Sequence, residues 1–478
     1  MEYFNLFTEI VFIMALGWYM ITNLQWYNYK LERVILKHHK QEWHFTYFVF
    51  PIVIFYILND IAFAIFFYVF YAGLFYLWNK KLDRPLVLTS RVKRFLAILL
   101  FVTFAIKALC LVSQSCYISA VFIPLILAYV ISTVLEKIFF ISFKNQGKRR
   151  VQSMKNLKIV AITASYGKTS IKNYLYQVLK NKYVTYKTPR SVNTIAGIVL
   201  DVNKDLPSNA QVYIAEAGAR QEGDIAEIAN FLEPQYCVIG SVGEQHIEYF
   251  KTLENIIKTK SELLHSPRLK KGFVHESVPL KKHPSIIKFP DNLNITMSNL
   301  DGIWFDVEIN GVKEHFHAPL LGSFNAINLT ATIYVALELG MSLEEIKVAF
   351  EKLQPVPHRL QLIHAGGKII VDDSFNGNLE GMLEAVNICS TYEGRKVIVT
   401  PGLVESTDEA NILLAKQINE NFDLAIITGK LNSHLLSKNI DEQKVIVLKD
   451  KSKLEELLAQ KTQSGDLILF ANDAPNFI

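Results

Sequence analysis

The sequence predicts an α-helical membrane domain followed by α/β structure, with a P-loop central domain and a Rossmann-like C-terminal domain. Three observations carry the prediction. Half of the 478 residues are hydrophobic, and the excess crowds before Lys137 in runs long enough to cross a bilayer. Residues 158–170, KIVAITASYGKTS, read as a buried parallel strand running straight into a tight turn and a helix start. From residue 151 onward strand and helix patterns alternate at ordinary polarity, as in parallel sheets covered on both faces.

Taken in order, residues 4–24 are almost continuously apolar, with Glu2 and Glu9 near the start and neither a basic leader nor a small-residue cleavage site. They read as a retained membrane helix and not as a signal peptide. Residues 45–78 hold two short crossings with Asn59-Asp60 as the turn, and 95–112 and 117–135 supply two more. The loop 25–44 carries Lys30, Arg33, Lys37 and Lys40, and the loop 79–94 carries Lys80, Lys81, Arg84, Arg91, Lys93 and Arg94. Lys137, Lys144, Lys148, Arg149 and Arg150 follow the last run, whereas the tips at 59–60 and 113–116 carry no Lys or Arg. About five crossings with the N-terminus outside put every basic loop, and all that follows, in the cytoplasm. The expectation is a multi-pass protein of the inner (cytoplasmic) membrane. Lys107, inside the fourth run, is expected to face the helix bundle. The run Lys148-Arg149-Arg150 reads as a membrane-edge hinge between two separately packed units.

These limits give a membrane domain at 1–145, a central ATP-binding domain at 150–355 and a C-terminal domain at 356–478, the last boundary falling at Pro355-Val356-Pro357. Strands are expected at 158–162, 211–215, 236–239, 368–371, 396–400, 424–428 and 466–470. Four cysteines, Cys110, Cys116, Cys237 and Cys389, have no metal-ligand spacing and indicate neither a disulfide framework nor a zinc site. The net charge of +5 is modest and its basic residues lie beside apolar runs, which favours a membrane surface over nucleic acid.

The chemistry centres on the turn after the first α/β strand. Thr163-Ala164-Ser165-Tyr166-Gly167-Lys168-Thr169-Ser170 leads into the helical pattern Ile171, Tyr174, Leu175, Val178, Leu179. A strand, a tight turn and a helix N-terminus aim backbone N–H groups and the positive end of a dipole at one point, which is a phosphate cradle. Lys168 reaches the same point, and the Thr169 hydroxyl suits Mg²⁺. Ser165, Gly167 and Ser170 complete the loop. Glu216 follows the strand QVYIA directly, where an acid meets a metal held at a phosphate loop. His246 in GEQHIEYF and Lys260 on the next helix are, taken singly, ordinary surface residues. Asn193 in TPRSVNTIAG, Asn325 and Asn328 in LGSFNAINLTA, Arg359 after the double proline, and Asp372-Asp373 in DDSFNGN are unremarkable one by one.

Together, their order and spacing resemble the Mur ligase family over about residues 157–410, and within it the branch that adds D-alanyl-D-alanine to a muramoyl tripeptide. TPRSVNTIAG is similar to the family's Thr-Pro-x-x-x-Asn-x-x-x-Gly segment, EAGARQEGDIAEI and GEQHIEYFKTLENI to segments of that branch, and DDSFNGN to its Asp-Asp-Ser-Tyr-Asn-x-Asn. Residue by residue, the resemblance implies Lys168 on the β/γ-phosphates, Thr169 and Glu216 on one Mg²⁺, and Asn193 on the transferring phosphoryl group. It implies a second Mg²⁺ held by His246 and by Lys260, the lysine carbamylated by CO₂. Asn325 and Asn328 border the adenine, Arg359 contacts phosphate and Asp373 the ribose. The activity implied is an ATP-dependent acid–amino-acid (peptide) ligase that joins D-alanyl-D-alanine to a UDP-N-acetylmuramoyl tripeptide through an acyl phosphate, in peptidoglycan precursor synthesis. Its partners are those two substrates, membrane lipid and other cell-wall enzymes, with no nucleic acid. The sequence departs from the family at Phe324, commonly histidine, at Ala164, commonly glycine, and at the front, where helices stand in place of a domain that grips uridine diphosphate. Competing readings are a folate-type polyglutamate ligase, a membrane transporter driven by a P-loop ATPase, which lacks an LSGGQ-like signature here, and a catalytically inert scaffold.

Overall fold

In a computed structural model, which describes residues 2–36, 38–113, 121–243, 247–280, 283–290, 292–375, 378–404 and 406–472, the apolar N-terminal runs fold as helices and the remainder as three sheets with their covering helices. The chain divides into the units Met1–Phe143 and Lys144–Ile478.

In the first unit the helices are Glu2–Trp26, Leu31–Leu36, Glu42–Ile57, Asp60–Lys80 and Ser90–Ser113, with Phe122–Ser153 beginning there. Asn59 caps Asp60–Lys80, its side chain accepting from the Ala62 amide at 3.0 Å, so the turn falls where the sequence put it. Phe12 is fully buried and meets the rings of Phe63 at 5.0 Å and Phe55 at 5.7 Å. Lys107 is buried and ion-paired with Glu9, so it faces the bundle as expected. By length and composition three helices, Tyr3–Trp26, Asp60–Lys80 and Phe122–Ser153, are long and apolar enough to cross a membrane. These three coincide with runs among the five expected; Glu42–Ile57 is a shorter apolar helix, and the run expected at 95–112 lies within helix Ser90–Ser113. Cys110 is disulfide-bonded, a bond the cysteine spacing did not indicate; Cys237 and Cys389 are free and buried, and Cys116 lies outside the described residues.

The second unit opens on the end of helix Phe122–Ser153, and the run Lys148-Arg149-Arg150 is helical and lies within this unit, which begins at Lys144. Lys148 donates to the Asn230 carbonyl at 3.0 Å and pairs with Glu233 at 2.9 Å, while Arg150 donates to the carbonyls of Asn203 at 2.7 Å and Leu206 at 2.5 Å. These cations satisfy carbonyls at the C-terminal ends of helices Asp224–Leu232 and Ile195–Lys204, where the helix dipole is negative. The segment is a packed helix, because its charges have fixed partners.

Six strands, β1 (Lys158–Thr163), β2 (Thr185–Lys187), β3 (Val212–Glu216), β4 (Tyr236–Ile239), β5 (Lys271–His275) and β6 (Ile286–Phe289), form an all-parallel sheet in the order β2-β3-β1-β4-β5-β6. Helix Lys168–Leu179 covers β1 through Ile171, Tyr174, Leu175, Val178 and Leu179, the five positions its period predicts, all buried. An antiparallel sheet of β7 (Asn294–Asn299), β8 (Gly302–Ile309) and β9 (Val312–Ala318) follows, which the sequence reading did not anticipate. The signal was present: β8 and β9 join through Asn310-Gly311 at φ 54° and 79°, the pairing that a two-residue hairpin demands.

Beyond Pro355-Val356-Pro357, β10 (Gln361–Ala365), β11 (Lys368–Asp373), β12 (Lys396–Thr400), β13 (Leu424–Thr428), β14 (Val445–Leu448) and β15 (Leu467–Ala471) form a sheet in the order β10-β11-β15-β12-β13-β14. It is parallel except for the β10–β11 hairpin. Every strand expected from the sequence is found, and Pro355–Pro357 separates the two six-stranded sheets along the chain within a single unit.

Candidate functional site

Parallel register builds the site. Ile162 of β1 lies opposite Glu216 of β3, and Thr163 opposite Ile239 of β4, so the loop after β1 opens between the ends of its two neighbours. Helix Lys168–Leu179 has Gly167 as N-cap at φ 80°, and no side chain caps it. The amides at its start are therefore disposed for an anion. Gly167 is required twice over: its φ is left-handed, and a Cβ there would stand 2.4 Å from Asn328 Oδ1. Not all of the loop is open. The amides of Ser165 and Tyr166 donate to the Ser241 carbonyl at 2.8 and 3.3 Å, and the Ser165 hydroxyl donates to the Gly243 carbonyl at 3.0 Å.

Lys168 folds over its own loop, donating to the carbonyls of Ala164 at 2.7 Å and Ser165 at 3.0 Å. Burial pushes its ammonium down to about 8, with Glu216 opposing and Arg359 adding to the effect. Glu216 is buried and accepts from Thr169 at 3.1 Å and Lys172 at 2.9 Å on Oε2, and from Asn193 at 3.3 Å on Oε1. Thr169, Asn193 and Glu216, expected to act together, are thus in contact. Lys172 was missed. Its signal is its position four residues after Lys168, which puts both lysines on one helix face.

Lys260 closes the other side. It lies at the end of helix Leu253–Ser261, is 7% exposed, and donates to the Ala164 carbonyl at 2.8 Å. Burial first and the charge of Lys168 second push it down to about 7. It is not a surface lysine. Next to it Glu262 is buried and accepts from the amides of Gly223 at 2.8 Å and Ala226 at 2.9 Å, tying this helix to the segment after Glu216. His246 lies outside the described residues. Among the described residues no group of three or more His, Cys, Asp or Glu is gathered as a metal site.

Asn325 and Asn328 stand at the start of helix Phe324–Glu338, behind the loop. Asn325 is occupied at both ends of its amide, donating to the Leu321 carbonyl at 2.7 Å and accepting from Tyr174 and Asn328, both at 3.2 Å. It fastens this helix to the helix after the phosphate loop. Arg359 sits between two non-glycine residues at positive φ, His358 at 63° and Leu360 at 46°, a strained segment, with its guanidinium 4.9 Å from the Phe375 ring. Asp373 accepts from the Leu360 amide at 3.2 Å, and burial pushes its carboxyl up to about 7 against the pull of that amide and of Arg359. Asp372 holds the segment from below: its Oδ2 lies 2.7 Å from His358 Nδ1, and its Oδ1 accepts from the Ser374 hydroxyl at 2.6 Å.

A parallel sheet whose central strand ends in an uncapped helix N-terminus, with a buried lysine and an acid from the neighbouring strand, is consistent with a P-loop-type ATPase domain. Residues 162–336 of this chain match the Mur ligase middle domain family. The UDP-N-acetylmuramoyl-tripeptide–D-alanyl-D-alanine ligase of Bacillus subtilis (strain 168) is 24% identical over 339 residues, which are 66% of this chain and 72% of that protein. The ligase of the same name from Borreliella burgdorferi is 29% identical over 295 residues, 58% of this chain and 63% of that one. The fold is shared with the MurF ligase from Thermotoga maritima in complex with ADP, at a TM-score of 0.59 and 22% identity over 70% of this chain and 80% of that chain. MurF from Acinetobacter baumannii gives a TM-score of 0.60 at 22% identity, covering 70% and 77%. The chain thus spans about two thirds of the length of the relatives it matches by sequence.

Proposed function

We propose that this chain is an ATP-dependent peptide ligase that joins D-alanyl-D-alanine to a UDP-N-acetylmuramoyl tripeptide in peptidoglycan precursor synthesis. The observation that carries it is the convergence of Lys168, Thr169, Asn193 and Glu216 at the ends of two neighbouring parallel strands. The names of the relatives supply the substrates.

A carboxylate does not condense with an amine at neutral pH, so the tripeptide's terminal carboxylate first takes the γ-phosphoryl group of ATP. The dipeptide's amine then attacks the acyl phosphate and phosphate leaves. Lys168 binds the β/γ-phosphates, giving up its bonds to Ala164 and Ser165 for stronger ones to phosphate oxygens. The free amides at the helix start orient the triphosphate. Asn193 holds the transferring group, and Arg359 lies within electrostatic reach of Glu216 and adds a positive charge for phosphate. Thr169 and Glu216 suit one Mg²⁺, since a hydroxyl and a carboxylate are hard oxygen donors. Lys260 is the proposed site of carbamylation, which would convert an amine of lowered basicity into an oxygen ligand, and His246 is its proposed companion at a second Mg²⁺. When bound, the two ions offset the charge that keeps carboxylate and triphosphate apart. Asn328 lies against the loop glycine, and with Asn325 borders the adenine; Asp373 holds the ribose.

We further propose that the first unit lies in the cytoplasmic membrane with its basic loops, and the second unit, on the cytoplasmic side. Its apolar helices and the loops rich in Lys and Arg support this. The test is phosphate release and product formation by the full chain in detergent, with ATP, a panel of muramoyl peptides and a panel of dipeptides. Turnover that requires both a muramoyl tripeptide and D-alanyl-D-alanine is expected; ATP hydrolysis indifferent to both would remove the ligase reading.

A further inference from the structure

Lys172 is 1% exposed, and no step above uses it. Its ammonium lies 2.9 Å from Glu216 Oε2 and 2.5 Å from the Arg190 carbonyl, so one buried cation joins the helix after the phosphate loop, the end of β3 and the segment that carries Asn193. Both oxygens of Glu216 are thereby engaged, Oε2 by Lys172 and Thr169 and Oε1 by Asn193. Lys168 and Arg359 also lie within electrostatic reach of this carboxylate. Among the described residues, three cations thus face one anion.

We propose that Lys172 is a positioning residue that makes entry of the divalent cation contingent on the nucleotide. This rests on the nucleotide-binding reading of the same site. A bare dication approaching Glu216 meets three like charges in a buried setting and has to compete with an ammonium already seated on the oxygen it needs. A triphosphate reverses the sign of the field and brings its own oxygen ligands, so the ion enters as part of the nucleotide complex. Lys172 at the same time keeps Glu216 and the Asn193 segment in register.

The experiment is binding of Mn²⁺, a paramagnetic stand-in for Mg²⁺, followed by electron paramagnetic resonance on the full chain in detergent with and without ATP. The parent protein is expected to take up Mn²⁺ at the Glu216 site, read as the signal that Glu216→Gln removes, only with ATP. Lys172→Met removes the competing charge and keeps the length of the side chain, and it should bind Mn²⁺ without nucleotide at least about tenfold more tightly than the parent. The gain should vanish in Lys172→Met/Glu216→Gln. Should Lys172→Met fail to fold, Lys172→Gln and the parent measurement still decide. Uptake of Mn²⁺ by the parent without ATP that Glu216→Gln abolishes, or a folded Lys172→Met or Lys172→Gln whose Glu216 site still requires ATP, overturns the proposal. Ligation assays on the same samples keep the two readings apart: nucleotide-contingent Mn²⁺ uptake with no peptide ligation leaves Lys172 its role and removes the ligase.

Discussion

The ammonium groups of Lys168 and Lys260 meet on a single acceptor, the carbonyl oxygen of Ala164, at 2.7 and 2.8 Å. Burial already disfavours the charged form of each, and their proximity disfavours it further for Lys260, which is why that amine titrates near neutrality while an ordinary lysine does not. A neutral amine is the form that reacts with CO₂. Burial and the neighbouring charge thus shift Lys260 towards the form that the proposed carbamylation needs.

Lys260→Ala should accordingly be almost inactive and should recover part of its activity when a short carboxylic acid is added, because a free carboxylate can occupy the vacated ligand position. The parent should respond to bicarbonate, and its uptake of CO₂ should rise as pH climbs through about 7. Full activity in Lys260→Ala together with indifference of the parent to bicarbonate rules out the carbamate.

Lys168→Ala should lose ligation by about a thousandfold or more, as removal of a preorganised charge at a phosphoryl group does, while remaining folded and in the membrane. Product formation and thermal melting on the same purified sample check it. A variant that makes product at the parent's rate contradicts the assignment of the loop.

Asp373→Asn tests a trade between stability and binding. Burial raises the folded-state pKa to about 7 from an ordinary value of 3.8, so the carboxyl's contribution to stability is fully present at low pH and is lost as pH rises towards neutrality. The asparagine variant keeps an acceptor for Leu360 and carries no charge. It should melt at about the parent's temperature near pH 4 and a few degrees higher near pH 8, while binding ATP less tightly. Equal melting differences at both pH values would contradict the buried, strained environment assigned to this acid.

The packed segment from Lys144 to Ser153 sets where the catalytic unit can be cut. A fragment starting at Lys144 keeps Lys148 and Arg150 on their helix ends; one starting at Val151 loses both, at about 0.3–1 kcal/mol for each cation, and should melt several degrees lower. Both retain every residue assigned to ATP. If the first unit contributes only to holding the nucleotide end of the substrate, the Lys144 fragment should show a raised KM and a nearly unchanged kcat. A folded, ATP-binding fragment whose kcat collapses at saturating substrate would mean that the first unit helps to build the active site.

The sequence alone determined the pieces whose causes are local. The strand, loop and helix from Lys158 to Leu179 were legible because side-chain period and turn chemistry act over a few residues, and the five buried positions of that helix fell where the period of 3.6 put them. The turn at Asn59-Asp60 and strands β11, β12, β13 and β15 were legible for the same reason. The hairpin turn Asn310-Gly311 was equally local, and its signal was passed over.

What only the tertiary structure decided is which of these pieces meet. Strand order β2-β3-β1-β4-β5-β6 sets Glu216 beside the phosphate loop, and that order follows from crossovers packed on both faces of the sheet, which no short window of sequence encodes. The same holds for charge. Lys172, Lys260 and the pair Lys148 and Arg150 look in sequence like any solvated lysine or arginine, and it is the neighbours brought by the fold, a carboxylate, a shared carbonyl and two helix ends, that turn the first two into buried site residues and the others into anchors. Burial and partnership belong to the folded chain, so the surroundings of these four residues became readable only in three dimensions, although resemblance had already singled out Lys260.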